Sequence, residues 1–391
     1  MKTVPICKRG DVAVASSPSF PPFRGNHSGP SSRLVFGTIQ STATMQFFSI
    51  AALVSAAAAA AASQCGLKKL ENLVTFGDSY TDEMRLSYFA RNNGSAPPPG
   101  LRLGESNSTA SGGYAWGRFV AKATNANYNN YAVAGATCSN EIISREFATI
   151  NQPFPSVMDY EIPAYKADIA FESLYPNRQA NNTVYALWIG TNDLGYGAFL
   201  TDSQAPGTTI STYVDCIWEV FDNIYETEGR HFVLLNLAPL EESPLYAAVE
   251  GGGFGDSQFW PNKTLYNTTE YQYKMLEYTT NVNTMFDYGA PFHLLVKKRW
   301  PGASFSIFDV HSMLRDIHAE PSKYLPPPAN VTGTYRVCDP VTRECVDSSE
   351  PMAGFLWYDE LHPSERADEI IAQHFVDVVF GNSTYGTTYA A

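Results

Sequence analysis

The sequence predicts an α/β protein: a mostly parallel central sheet with helices on both faces, in three α/β/α layers. Two observations carry that prediction. Four short apolar runs, at residues 73–76, 183–189, 231–237 and 305–310, read as buried parallel strands. Amphipathic helical text lies between and after them, and strands alternating with helices are covered on both faces. A third observation gives the fold its use. Two of the runs end in polar motifs, Gly77-Asp78-Ser79 and Gly190-Thr191-Asn192-Asp193, and in such sheets the loops at the carboxyl ends of strands collect the chemistry.

Taken in order, the chain of 391 residues opens on a stretch, 1–44, that is rich in Pro, Ser and Gly and has no sustained apolar period. Such a segment cannot bury enough surface to order itself, so it reads as disordered or as an over-extended gene model with the true start at Met45. Residues 45–62 run Met-Gln-Phe-Phe-Ser-Ile-Ala-Ala-Leu-Val-Ser into an alanine tract that ends in small residues. That is the pattern of a secretory signal peptide with its cleavage region. The competing reading, a membrane anchor, suffers from a stretch that is short and half alanine, so no stable membrane insertion is expected. Residues 63–391 are expected to form a single catalytic domain.

Removing residues 1–62 takes away five Lys/Arg and one Asp, and the formal net charge moves from −13 to −17. A chain that acidic repels anionic polymers, which argues against nucleic acid and anionic membranes as partners and favours neutral substrates. Seven Asn-x-Ser/Thr sequons follow the signal, at Asn93, Asn107, Asn181, Asn262, Asn267, Asn330 and Asn382, the acceptor pattern of a secreted glycoprotein. Cysteine usage fits the same oxidising, extracellular compartment. Cys338 and Cys345 bracket a turn-rich segment and are expected to pair, Cys138 with Cys216 is the second expected pair, and Cys65 is left over. No Cys-x-x-Cys spacing or His cluster suggests a metal, and no cofactor is expected. A monomer is expected.

Within the domain, residues 211–225 place Val214, Ile217, Trp218, Phe221 and Ile224 at helical steps. The last helix opens at Pro363-Ser364, with Ala367, Ile370, Ile371, Phe375, Val378 and Val379 as its apolar stripe. Segments 92–115, 241–275 and 320–357 are rich in Gly, Pro, Asn, Thr and aromatics and should shape a cleft, one expected to be polar and aromatic. Gly251-Gly-Gly-Phe-Gly255 lacks the Gly-Lys-Ser/Thr ending of a phosphate loop and reads as a flexible loop.

Four motifs in fixed order supply the parts for acyl transfer through a serine ester. Ser79, just past the first strand, is the candidate nucleophile, and a hydroxyl needs a base within hydrogen-bond reach. His362 in Asp359-Glu-Leu-His362 can be that base, with Asp359 three residues earlier able to reach the other ring nitrogen and fix its tautomer. The backbone N–H of Ser79, the backbone N–H of Gly135 in the run 130–136 and the side-chain amide of Asn192 can converge on an oxyanion. Taken singly, each residue also has a plain structural reading, as a turn, a loop or a cap; their joint occurrence in order favours the catalytic one. Asp309-Val-His311 is a rival pair with the wrong spacing, and His231, His293 and His318 read as structural.

These blocks resemble the GDSL/SGNH hydrolase superfamily, with Tyr80 where the name-giving leucine would stand. The resemblance spans about residues 70–380 and implies the SGNH-hydrolase-like three-layer sandwich. The absence of a Gly-x-Ser-x-Gly elbow argues against the α/β-hydrolase lipases. Phrases at 74–83, 111–116, 200–204 and 236–240 are similar to the secreted fungal acetylesterases of that superfamily. That resemblance implies removal of acetyl groups from hemicellulose-derived oligosaccharides through an acetyl-serine. The alternatives are a lipolytic or broad-specificity carboxylester hydrolase and, from another class, a non-catalytic carbohydrate-binding protein on the same fold. Tyr114 and Trp116 could stack on sugar rings or pack in the core.

Overall fold

The computed structural model describes residues 6–7, 67 and 69–391. Apart from the two residues 6–7, the segments read as disordered (1–44) and as a signal (45–62) lie outside the described residues, as does Cys65. The central sheet is built from β1 (Asn72–Gly77), β2 (Asn127–Asn130), β3 (Thr183–Trp188), β4 (His231–Leu235), β5 (Ser304–Phe308) and β6 (Gly386–Ala390). In space they run β6-β5-β4-β3-β1-β2, and Ile6–Cys7 adds antiparallel pairing along the outer side of β6. Pairs among β1 to β5 are parallel and β6 is antiparallel to β5. The chain leaves β1 for β2 on one side and then crosses to β3 on the other. The order therefore reverses at β1, and a crevice opens there beyond the carboxyl ends of the strands.

The four apolar runs are the four inner strands β1, β3, β4 and β5. The sequence reading passes over β2 and β6 because neither is an apolar run. β2 is Asn-Tyr-Asn-Asn, held by side-chain amides: Asn127 Nδ2 and Asn129 Nδ2 both donate to the Leu174 carbonyl, at 2.7 and 3.1 Å. β6 is short and largely half-exposed.

Side chains on β5 show the layering, since residues three apart on a strand point to opposite faces. Phe305 meets Phe221 at 4.7 Å and Trp218 at 5.9 Å, both on the helix Ile210–Glu226. Phe308 meets Phe375 at 6.5 Å on the helix Glu365–Val379, and Phe375 in turn packs on Trp116 of the helix Trp116–Thr124 at 4.8 Å. Ile210–Glu226 starts with a Thr209/Thr212 capping box. The last helix starts at Glu365, two residues later than its apolar text suggests. Ser364 stays extended and caps it, accepting from Ala367 N–H while its hydroxyl donates to the Phe355 carbonyl at 2.6 Å.

Both expected disulfides are present, Cys138–Cys216 and Cys338–Cys345. The second closes a hairpin of Arg336–Cys338 against Cys345–Asp347.

Candidate active site

Ser79 sits in the turn after β1. The chain can turn there because Gly77 has φ +144°, and a Cβ at that position would lie 2.1 Å from the Trp188 carbonyl oxygen of β3. Asp78 Oδ1 accepts from Tyr80 N–H at 3.0 Å and fixes the turn. Ser79 Oγ lies 2.8 Å from His362 Nε2. On the far side of the ring, His362 Nδ1 lies 2.9 Å from both oxygens of Asp359. The Asp359 carboxylate is itself held, because Oδ1 accepts from the backbone N–H groups of Leu361 and His362 at 2.9 and 2.8 Å. A three-residue spacing on a tight turn thus brings carboxylate and ring together. Tyr80 OH donates to the Leu361 carbonyl at 2.8 Å and ties the serine turn to the histidine turn.

Asp359 and His362 are buried. Burial works against the charged imidazolium, yet the Asp359 carboxylate, through its charge and its hydrogen bond, outweighs it and holds the His362 pKa above the usual 6.5. The ring is therefore a stronger base than a free imidazole.

Gly135 follows β2 and Asn192 follows β3, so three of the predicted residues stand at adjacent strand ends. Gly135 has φ +87°, and a Cβ there would strike the Phe154 ring at 2.4 Å. The backbone N–H groups of Ser79 and Gly135 make no hydrogen bond among the described residues. Asn192 Nδ2 donates to the Ala136 carbonyl at 2.9 Å, leaving its second hydrogen for the cavity. All five predicted residues lie in one place. Ser79, Gly135, Asn192 and His362 line a common cavity of about 240 Å³, and Asp359 stands behind the histidine. Donors held at fixed positions around a nucleophile-base pair can stabilise a tetrahedral oxyanion.

Several residues outside the catalytic set shape this site, and two of them, Glu161 and Arg145, carry no sequence signal of their own. Glu161, on the segment Val157–Glu161, accepts from Gly77 N–H at 2.9 Å and Val133 N–H at 3.2 Å, and so clamps the first two motif loops together. Burial raises its pKa well above the carboxylate range, against the pull of those two donors. Asp82 accepts from Ala134 N–H at 2.9 Å and fixes the residue before Gly135. Asp78 and Asp193, within the motif loops themselves, are buried, and burial pushes both up to about 7. Arg145 donates to Asn192 Oδ1 and, at 3.3 Å, to the Gly135 carbonyl.

The walls of the cavity differ from the polar cleft expected from composition. Leu86, Phe154, Leu245, Phe259 and Leu361 face it; of these only Leu245 and Phe259 come from an insertion, and the other three come from segments beside the motif loops. Ala110 comes from the first insertion, and Leu245, Tyr246 and Phe259 from the second; the third insertion, 320–357, contributes nothing to the wall. Trp116 is fully buried, with Nε1 donating to Thr81 Oγ1 at 3.1 Å, so it is a core residue and unavailable to sugar. The Tyr114 ring lies under Lys122 Nζ at 3.5 Å and outside the cavity lining.

The rival pair and two of the other histidines have structural partners. Asp309 caps the helix Val310–Ala319 and accepts from Asn236, while His311 Nδ1 contacts the Leu237 carbonyl at 3.2 Å. His231 is bonded to Ser304 and His293 to Arg299. Among the described residues no group of His, Cys, Asp and Glu is arranged to hold a metal, and no helix is long and apolar enough to cross a membrane.

Comparison with known proteins agrees with the motifs. A model of the GDSL-like lipase/acylhydrolase family matches residues 73–375. An acetylesterase of Hypocrea jecorina is 52% identical over 315 residues, 81% of this chain and 90% of that protein. An acetylesterase of Thermothelomyces thermophilus is 27% identical over 181 residues, 44% of this chain and 55% of the other. Among solved structures, the acetylxylan esterase Axe2 of Geobacillus stearothermophilus aligns over 82% of this chain and 98% of its own at 12% identity, with a TM-score of 0.34.

Proposed function

The chain belongs to the GDSL-like lipase/acylhydrolase family, and from that premise we propose that it is a secreted acetylesterase acting on carbohydrate esters through an acyl-serine. One observation carries the reading: Ser79 Oγ, His362 Nε2 and the Asp359 carboxylate form a continuous relay, and Ser79 and Gly135, whose backbone N–H groups make no hydrogen bond among the described residues, line the same cavity as Asn192.

In this mechanism His362 Nε2 takes the Ser79 proton as Oγ attacks the acyl carbonyl. The oxyanion forms against Ser79 N–H, Gly135 N–H and Asn192 Nδ2. The imidazolium, stabilised by Asp359, returns the proton to the leaving alcohol and an acyl-serine remains. Water activated by the same ring then releases acetate and restores the serine. The substrate class comes from the acetylesterase relative that matches most of the chain. Secretion is supported by the two disulfides and by sequons at exposed Asn93, Asn107, Asn181, Asn267 and Asn382. The mature chain is proposed to begin near Ser63, as one catalytic domain and a monomer.

A second reading, a broad carboxylester hydrolase with longer acyl range, is favoured by the apolar walls. Each further buried CH₂ could contribute about 0.8 kcal/mol, so a channel for six extra carbons would favour octanoate over acetate by roughly 5 kcal/mol. The deciding measurement is kcat/KM for acyl chains of two to eight carbons on one alcohol, together with acetylated xylo-oligosaccharides. A decline beyond butyrate and a preference for the acetylated sugar support the acetylesterase. A rise towards eight carbons selects the second reading.

A further inference from the structure

Arg145 lies outside all four motifs, yet it touches two of the three proposed oxyanion donors. Its Nη1 donates to Asn192 Oδ1 and to the Gly135 carbonyl. It is carried by a small hairpin in which Glu146–Phe147 pairs with Gln152–Pro153, and Phe154 N–H donates back to the Arg145 carbonyl at 2.8 Å. The guanidinium lies 5.6 Å from the centre of the Phe154 ring, the same ring that closes on Gly135. One hairpin thus grips the Gly135 loop and the Asn192 side chain together.

A primary amide is nearly symmetric in shape, and its neighbours decide which end faces where. Here the two ends have opposite partners: Nδ2 faces the Ala136 carbonyl and Oδ1 faces a cation. Rotating the amide by half a turn would set oxygen against oxygen and N–H against guanidinium, and would point an acceptor at a developing negative charge. We propose that Arg145 is a positioning residue of the oxyanion hole, holding the Asn192 amide with Nδ2 turned to the reacting oxygen and anchoring Gly135 beside it. The inference rests on the reading of Asn192 as an oxyanion donor.

The test is a double-mutant cycle of Arg145→Met and Asn192→Ala, with Arg145→Lys and Arg145→Gln alongside, reading kcat and KM separately on a small acetyl ester. Thermal unfolding identifies any variant that fails to fold. Asn192→Ala should lower kcat by about 10²–10³-fold. Arg145→Met should lower kcat by about 10–100-fold with KM nearly unchanged, as expected for a loss felt only in the transition state. Arg145→Lys, which keeps one donor for Oδ1, should recover part of that, and Arg145→Gln less. In the Asn192→Ala background, Arg145→Met should cost at most about a third of its loss in the wild-type background, because Asn192 Oδ1 is already gone and only the Gly135 carbonyl contact remains to lose. A full second loss in that background, or a loss confined to KM, overturns the inference while leaving the oxyanion hole standing. If Asn192→Ala alone leaves kcat unchanged, the reading of Asn192 fails and the inference falls with it.

Discussion

The floor and the walls of the cavity are built in different ways. The floor consists of three loops at the carboxyl ends of β1, β2 and β3, each leaving a strand fixed on both sides by parallel neighbours or, at the edge, by amide bonds. Buried acids stitch these loops to one another: Glu161 joins Gly77 to Val133, Asp82 holds Ala134, and Asp193 accepts from Cys138 N–H at 2.9 Å. Part of the wall, Ala110, Leu245, Tyr246 and Phe259, comes from long insertions clamped by single side chains. Lys263 is buried and donates to the carbonyls of Leu245 and Ala247 at 2.6 and 2.7 Å. Glu365 accepts from Tyr114 N–H at 2.9 Å and holds the loop that brings Ala110 to the cavity. The floor therefore places reacting atoms with little freedom, while the insertion-borne part of the wall is clamped separately from it; the Phe154 ring, on the rest of the wall, packs on Gly135. Under the proposed mechanism, chemistry falls to the floor and substrate choice to the insertions.

The sharpest way to break this division is at the floor. Ser79→Ala should remove at least about 10⁴-fold of turnover while leaving the unfolding midpoint near wild type, because it deletes the proposed nucleophile and no packing. His362→Ala should do nearly as much. Asp359→Ala should cost about 10²-fold less, since His362 and the oxyanion donors remain. Single-turnover acetate release from each variant checks the order, and a Ser79→Ala enzyme with more than a few per cent of wild-type turnover would refute the mechanism.

A second cut tests the relay by pH. His362 must be neutral to take the proton, and Asp359 holds its pKa above 6.5. The kcat/KM should accordingly rise with pH through a midpoint above 6.5. With Asp359→Asn the carboxylate that favours the imidazolium is gone, burial dominates, and the midpoint should move down even as the plateau falls. An unmoved midpoint would assign that titration to another group.

How far sequence reading reaches follows the same division. The floor was legible because its signals are local: an apolar run followed by Gly-Asp-Ser or Gly-Thr-Asn-Asp names both the strand and the loop. The Asp-x-x-His spacing describes a turn that closes on itself. Glu161 and Arg145 were not legible, because each meets its partners across gaps of 28 and 84 residues for Glu161 and 10 and 47 for Arg145, with no short pattern to mark them. β2 was missed because side-chain amides replace apolar burial there. The walls misled because composition reports what an insertion contains and not which side it turns inward. Residues 241–275 are rich in polar residues overall, yet Leu245, Tyr246 and Phe259 are what they present to the cavity.

A milder perturbation should therefore act on the walls alone. Burial pushes the Lys263 pKa down to about 8, and its charge is held by two backbone carbonyls. Lys263→Met keeps the volume and releases those carbonyls. The expected result is a change of a few fold in KM and in the acyl-length profile, with kcat on a small acetate ester within about twofold, since uniform binding and not transition-state stabilisation is altered. A fall in kcat matching that of an oxyanion variant would mean that the wall and the floor are mechanically one.

The smallest effect on turnover is expected from the disulfide of the Arg336–Asp347 hairpin, and the two disulfides can be compared directly. Cys138–Cys216 spans 78 residues and Cys338–Cys345 spans 7. Loop-closure entropy alone would make the first worth about 4.5 kcal/mol and the second about 2.5 kcal/mol of folding stability. Their neighbours differ more than their spans. Cys138 N–H is bonded to Asp193, one residue from Asn192, whereas the Cys338–Cys345 hairpin is also pinned by Arg336 on Asp347 at 2.6 and 2.8 Å and contributes nothing to the cavity wall. Replacing Cys338 and Cys345 together by serine should lower the denaturant midpoint modestly and leave kcat within about twofold. Replacing Cys138 and Cys216 by alanine should lower the midpoint further and reduce kcat as well, because the loop that carries Gly135 loses its anchor to the helix Ile210–Glu226. Equal losses of kcat from both pairs would show that global loosening governs turnover, and that the floor is not the stiffer part.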